Sequence, residues 1–391
     1  MKRLLRVSFD IFIMSVIPIV SWFLLGIILD ERLINIYTLT YPMQCLMSMI
    51  VAIFGGGANI CIYKDNNKNS ADNGIIIGSF FSIIIYGIVI LNVRKYISFM
   101  NMDIIIYETF CVFSLFQIHF YTILELILTK LYYKEENKKA NKIAFIYNLI
   151  GFLSLIITAL VTKSQIITSI VTGIILFIMI LYFYFKNIDK IDFKLNLANC
   201  LKYNSVSFII GFMFLIIYLF GFSNSFVYGE SYIIAITFVT LVTDMQWDIT
   251  EAVKSVAKVD ISKKKFDYDF HLKNAIKLHI LLIISVLLMV IVVYPFYKPD
   301  IGIMSIFLVI HIIDFILGPF IEIKTCFLQL EDSAFKMTTN IIISYLIRTI
   351  LSFTPTPFCT IIGQLWATIY EFTCTKINYR KYLNRVKRDK V

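Results

Sequence analysis

Ionisable side chains inside long apolar runs are where this sequence can do chemistry. A charge at the centre of a bilayer costs at least ~2.5–3.5 kcal/mol on insertion scales, so it faces a partner, an aqueous cavity or a bound ion. His311 and Asp314 stand three residues apart in one such run and share a helix face, with Gly318-Pro319 able to open the backbone one turn later. A carboxylate there can hold Na⁺ or a proton, tuned by the imidazole; equally, the two can form a static hydrogen-bonded pair that joins helices. In another run Asp244, Asp248 and Glu251 recur at i, i+4 and i+7, beside Trp247 and Lys254. Three acids on one stripe repel unless they meet water or cations. Asp244 and Asp248 are therefore candidates for lining a negative cavity, with Trp247 a cation–π surface. Glu251 reads instead as solvated at a helix end, partly paired with Lys254.

The first half offers Glu108, His119 and Glu125 in one run and Asn148 in the next. Glu125 can serve transport or can brace helices through a Lys or Arg partner, and so can Glu322 in the second half. Asp30 closes the first run at its outer edge, and Asp10 opens it at a solvated boundary. Arg348 needs an acid, for which Glu371 is the candidate. No HExxH, GxSxG or paired-histidine motif supports an intramembrane enzyme, no Walker motif supports direct use of ATP, and no filter-like repeat supports a channel.

These residues need elements to position them, and composition names the class. The 391 residues are 59% hydrophobic and 16% charged, with a mean hydropathy of +0.81. A soluble chain carries nearer 25% charged residues. The apolar surplus is segmented into runs long enough to cross about 30 Å of hydrocarbon as helices, and strand-like alternation is absent. Twelve spans are expected, at 8–29, 34–63, 73–93, 104–131, 141–162, 165–185, 201–221, 228–256, 272–297, 302–330, 337–354 and 357–377. Turn signals separate them, among them Asp65-Asn66-Asn67, Lys163-Ser164, Pro299-Asp300 and Thr354-Pro355-Thr356-Pro357. The net charge of +10 sits in short loops and a basic tail, which argues against nucleic acid as a partner. The seven cysteines are scattered, form no CxxC pair and read as small apolar fillers.

With the N-terminus inside, roughly 26 Lys and Arg fall on the inner side and about 5 on the outer, so both termini are expected in the cytoplasm of a multi-pass cell-membrane protein. The sequence also repeats weakly at an offset of 197: Leu124 to Ile150 aligns without gaps on Ile321 to Ile347, with Glu125 on Glu322 and Leu149-Ile150 on Leu346-Ile347. Six spans return the chain to its starting side, so the halves, 1–190 and 191–391, are expected to be parallel six-helix bundles joined by the charged segment Lys186 to Lys194.

Several features together resemble the multidrug and toxic compound extrusion (MATE) family, within the wider superfamily of polysaccharide and lipid-linked flippases. The first helix holds Pro18 and ends near Gly26-Ile27-Ile28-Leu29-Asp30. The second runs through Pro42 to Gly55-Gly56-Gly57-Ala58 and a polar loop from Lys64 to Lys68. The fourth leads through a polar loop into a fifth bearing Asn148. Asp244 to Lys258 leads likewise to Ser262-Lys263-Lys264-Lys265. Tyr132, Tyr133 and Lys134 replace the family's glycines after the fourth helix, and 203–222 lacks its acid. The resemblance implies a secondary active exporter, not an enzyme, that moves organic cationic or amphiphilic solutes against Na⁺ or H⁺ without a further cofactor. It places the coupling ion at Asp314 and offers Asp30 as a match to an acid on the first helix. The alternative is a flippase for a lipid-linked saccharide, in which Arg and Lys would line the cavity. Membrane lipids and one small solute are the expected partners, and the chain is expected to act as a monomer.

Overall fold

Within hydrocarbon the backbone has no water to bond, so every apolar run has to satisfy its own N–H and C=O groups as a helix. The computed structural model describes residues 16–65, 67–134, 136–189, 192–262, 267–331 and 334–388, and describes Trp247, Asp248 and Glu251 in backbone only. The regular elements are all helical, with no strand among the described residues. Helix α1 (Val16–Ile28) is followed by α2 (Ile36–Ile50), a π-helical turn (Val51–Gly57) and α3 (Ala58–Lys64). Next come α4 (Ser70–Leu91), α5 (Val93–Phe99), α6 (Ile104–Tyr133), α7 (Asn137–Thr162), α8 (Gln165–Asn187), α9 (Leu197–Tyr203) and α10 (Ser205–Phe226). The remainder is α11 (Glu230–Thr243), α12 (Met245–Ser262), α13 (Tyr268–Tyr297), α14 (Ile301–Glu331), α15 (Ala334–Ser352) and α16 (Cys359–Arg388). Every expected span from 34–63 onward overlaps one of these helices or a continuous run of them; of the span 8–29, residues 8–15 lie outside the described residues. Among the described residues eight helices are long and apolar enough to cross a membrane; α1 and α11 are shorter apolar helices.

The described chain forms two compact units, Ile17–Val227 and one running from Tyr228. Helices α9 and α10 follow the charged linker yet pack on the π-turn, α3 and α2 of the first unit, so the packing divides the chain later than the linker at 190/191. Glycine explains the close fit. A Cβ on Gly57 would lie 2.4 Å from the Cys200 carbonyl oxygen, and one on Gly74 would meet the Phe54 carbonyl oxygen at 2.1 Å. A π-turn leaves backbone carbonyls without their usual partners. Asn204 Nδ2 takes up one of them, donating to the Ala52 carbonyl at 2.8 Å.

The repeat at 197 extends beyond the residues that reveal it in the sequence. Helices α6 and α14 begin 197 positions apart, at Ile104 and Ile301. The loops before α6 and α14 match as well. Asn101 and Lys298 both take the left-handed conformation, at φ 56° and 43°. Two residues on, the Asp103 and Asp300 carboxylates accept the N–H of Ile105 and Ile303, each at 2.8 Å, and so cap the two helices.

Candidate functional site

Asp314 lies half-buried on α14 in the second unit, and three side chains converge on it. Gln246 Nε2 of α12 donates to Oδ2 at 2.8 Å, Gln364 Nε2 of α16 donates to the same oxygen at 2.9 Å, and Thr368 Oγ1 donates to Oδ1 at 2.7 Å. All three donors are neutral. His311 stands one turn earlier, its Nδ1 3.4 Å from Gln364 Nε2 and its ring 6.2 Å from that of Phe315. The sequence-derived pair is therefore part of a five-residue cluster built by α12, α14 and α16.

Asp244 sits half-buried at the break between α11 and α12. The side chains of Trp247, Asp248 and Glu251 lie outside the described residues, so the stripe expected there is described only at Asp244. From α12 the polar group that reaches Asp314 is Gln246, which neighbours those candidates in sequence. Gln246, Gln364 and Thr368 escaped sequence reasoning because neutral amides and hydroxyls carry no insertion penalty large enough to mark them. Their one signal is placement in the apolar runs that flank the acid.

A second polar group lies further along α14. Glu322 is buried and accepts from Thr250 Oγ1 at 2.6 Å, while His279 Nε2 of α13 stands 3.4 Å from the same oxygen. His279 Nδ1 is 3.0 Å from the Ala275 carbonyl, which can only accept, so Nδ1 carries a proton. Glu322 on α14 thus meets Thr250 of α12 and stands near His279 of α13. Arg348 is buried on α15, 6.0 Å from the Tyr345 ring, and Glu371, its candidate partner, lies on α16.

The first-unit candidates do not converge. His119 is buried with Nδ1 2.7 Å from Ser82 Oγ, next to the ring of Tyr86. Asn148 Oδ1 accepts the Tyr121 hydroxyl at 2.5 Å beside a cavity of about 30 Å³ that Pro18, Ser21 and Gln117 also line. That space is enough for a water and too little for an organic solute. Glu125 is half-buried on α6, with no hydrogen-bond or ion-pair partner among the described residues. Glu108 pairs with Arg94 at 2.8 Å. Asp30 caps the turn before α2 and takes a two-pronged contact from Arg32, at 2.9 and 2.6 Å. The Arg32 hydrogen bond holds its carboxyl below the usual range.

The most heavily charged cluster of the first unit was not anticipated. Lys130, 3% exposed, donates to Asp72 at 2.5 Å, to the Asn187 carbonyl at 2.6 Å and to Asp189 at 3.1 Å. It ties α6 to α4 and to the segment that leaves α8.

No protein-family model matches the chain, and no curated protein matches it by sequence. Solved structures do match over nearly the whole length. The chain is similar to a multidrug resistance MATE family transporter of the MOP superfamily in its outward-facing conformation, with 14% identity, 99% of this chain and 96% of that one covered, and a TM-score of 0.64. It is similar to an inward-facing form at 12% identity, with 97% and 95% covered and a TM-score of 0.63. It also matches a MOP superfamily transporter from Pyrococcus furiosus, whose reversed pocket polarity suggests a different function for that protein, at 14% identity, 97% and 96% coverage and a TM-score of 0.66. At such identities the likeness establishes the fold. The chain is an all-α, multi-pass membrane protein with the twelve-helix MATE fold.

Proposed function

We propose that this protein is a secondary active transporter of the cell membrane that exports organic cationic or amphiphilic solutes, with Asp314 holding the Na⁺ or H⁺ that drives it. One observation carries the proposal: the Asp314 carboxylate is surrounded by neutral donors. A buried carboxylate locked to an ammonium, as Asp72 is to Lys130, has its charge already spent. Neutral amides and a hydroxyl stabilise the carboxylate yet leave its charge for a mobile cation. A proton can replace a donor at either oxygen. For Na⁺, the two glutamine carbonyls and the threonine hydroxyl supply the kind of oxygen ligands hard cations take. Either ion neutralises the site and biases the equilibrium between two access states by no more than its difference in affinity for them. Asp244 serves as a negative feature of the substrate path. His311 adjusts the carboxylate through Gln364.

Transport into liposomes reconstituted with the purified protein tests this, with Na⁺ and proton gradients imposed separately on a panel of organic cations and lipid-linked sugars. Asp314→Asn should abolish accumulation against a gradient and leave substrate binding in place. Uphill transport by that variant would move the coupling site elsewhere, first to Glu125. The flippase alternative draws on Arg348, a buried cation inside a span; movement of the lipid-linked sugars alone would favour it.

A further inference from the structure

Helices α7 and α8 are joined by a tight turn at Lys163-Ser164, so the start of α7 stands beside the end of α8. At that end they enclose an open groove of about 730 Å³. Its mouth carries three amines: Lys139 and Lys142, one turn apart on α7, and Lys186 on α8. Its floor is apolar and runs inward along Ile146 and Ile150 on one side and Ile178 on the other. From Lys142 to Ile150 the groove descends about 12 Å, at 1.5 Å per helical residue. No carboxylate lines it among the described residues. Glu136, outside the lining, pairs with Lys139 at 3.3 Å, and both side chains are more than 40% exposed, so screening leaves that pair weak. Lys186 Nζ donates to the Tyr182 hydroxyl at 2.9 Å, a neutral partner that removes none of its charge.

Three like charges around one groove, with no acid in the lining, repel one another unless an anion joins them. An isoleucine floor beneath them asks for a hydrocarbon chain. We propose that this groove binds one anionic phospholipid, its phosphate among Lys139, Lys142 and Lys186 and an acyl chain along the floor. A zwitterionic lipid is a poorer occupant because it brings its own ammonium to three others. Inorganic phosphate leaves the floor unfilled. Basic pockets between membrane helices near a membrane surface favour acidic headgroups for the same reason. The site lies wholly in the first unit and is independent of the role given to Asp314.

Native mass spectrometry of the delipidated protein tests the site, with dioleoyl phosphatidylglycerol, dioleoyl phosphatidylcholine and inorganic phosphate as probes. The wild-type protein should retain one phosphatidylglycerol in clear preference to phosphatidylcholine. Each lysine replaced by glutamine should weaken the preference about five-fold, and the triple variant about a hundred-fold, from the attraction one lysine has for an anionic lipid surface. Lys139→Arg/Lys142→Arg/Lys186→Arg should keep the preference, which separates loss of charge from loss of fold. Lys134→Gln/Lys138→Gln, outside the lining, should keep it too. Equal retention of the two lipids, or an undiminished preference in the triple glutamine variant, overturns the proposal. So does an equal loss in the Lys134/Lys138 variant, or inorganic phosphate displacing the lipid at equal concentration.

Discussion

Asp72 and Asp314 are both acids inside helical bundles, and their partners differ in kind: an ammonium for one, two amides and a hydroxyl for the other. That difference makes the coupling ion of Asp314 testable at a single neighbour. Thr368→Val removes the donor to Oδ1 and puts a methyl in its place. If a proton drives transport, loss of a hydrogen bond of ~1.5–3 kcal/mol to that carboxylate should alter the pH profile of transport and leave its Na⁺ dependence unchanged. If Na⁺ drives transport, the same change deletes an oxygen ligand, and half-maximal activity should need more Na⁺ at unchanged pH. Initial rates against pH at fixed Na⁺, then against Na⁺ at fixed pH, separate the two; a variant unchanged in both would take Thr368 out of the site. His311→Ala should move only the pH profile, since His311 meets the cluster through Gln364. Asp314 and His311 were legible because charge inside an apolar run has a cost that reads directly from sequence. Gln246 and Gln364 were not: they lie 68 and 50 residues from Asp314, on two other helices, and only packing joins them to it.

At the scale of elements, the apolar runs placed the helices well because hydrocarbon leaves the backbone no alternative to the helix. The polar joints between helices were harder to read. Lys130 resembles any basic residue near the end of a span, yet it is buried and serves three acceptors on two other segments. Its neighbour in function is Asn73, which donates to Asp192 and to the Lys194 carbonyl, and whose Oδ1 accepts the backbone N–H of both Asp192 and Phe193. Nothing in the spacing of Asn73 and Asp192, 119 residues apart, announces this. Removing one partner of a buried ion pair leaves the other uncompensated, at a cost of ~3–5 kcal/mol. Lys130→Met should therefore lower the thermal midpoint of the purified protein, and Lys130→Met/Asp72→Leu should recover much of the loss. If the double variant is no more stable than the single, the pair is not what holds these helices. The segment after α8 should also respond to acid. Lys130 beside Asp189, and Asn73 beside Asp192, hold these carboxyls below the usual carboxylate range. A carboxyl lowered in the folded state stabilises it fully above the unfolded value of about 3.9 and stops doing so as the pH falls through the lower, folded value. Limited proteolysis of this segment should be slow at neutral pH and accelerate only well below pH 4; acceleration already near pH 6 would show that other groups hold it.

For the whole molecule, topology follows from duplication. A left-handed residue followed two positions later by an aspartate cap recurs 197 residues on, before two helices that start at matching positions. Sequence alignment alone finds the repeat only between the fourth and fifth spans, because apolar helices match one another by chance and carry little register information. The loops carry more, since a left-handed backbone and an Asp cap are specific demands, but Asn101 and Lys298 share a conformation without sharing a residue type. A repeat holding an even number of spans begins and ends on one side of the membrane, so two copies in the same orientation leave both chain ends on that side. The distribution of basic residues makes the cytoplasm the side proposed for them. Single cysteines in a cysteine-free background test this in intact cells. Asn384→Cys on α16 and Lys138→Cys at the start of α7 should resist an impermeant maleimide until the membrane is opened. Lys95→Cys on α5, at the other end of α4 and α6, should react at once. All three positions are exposed, so burial cannot account for a difference between them. Labelling of Asn384→Cys from outside, with Lys138→Cys still protected, would mean an odd number of crossings between them. One of the segments counted as a span, with the charged α16 the first to examine, would then lie along the membrane surface instead of through it, and the two halves could not be copies of one six-helix unit.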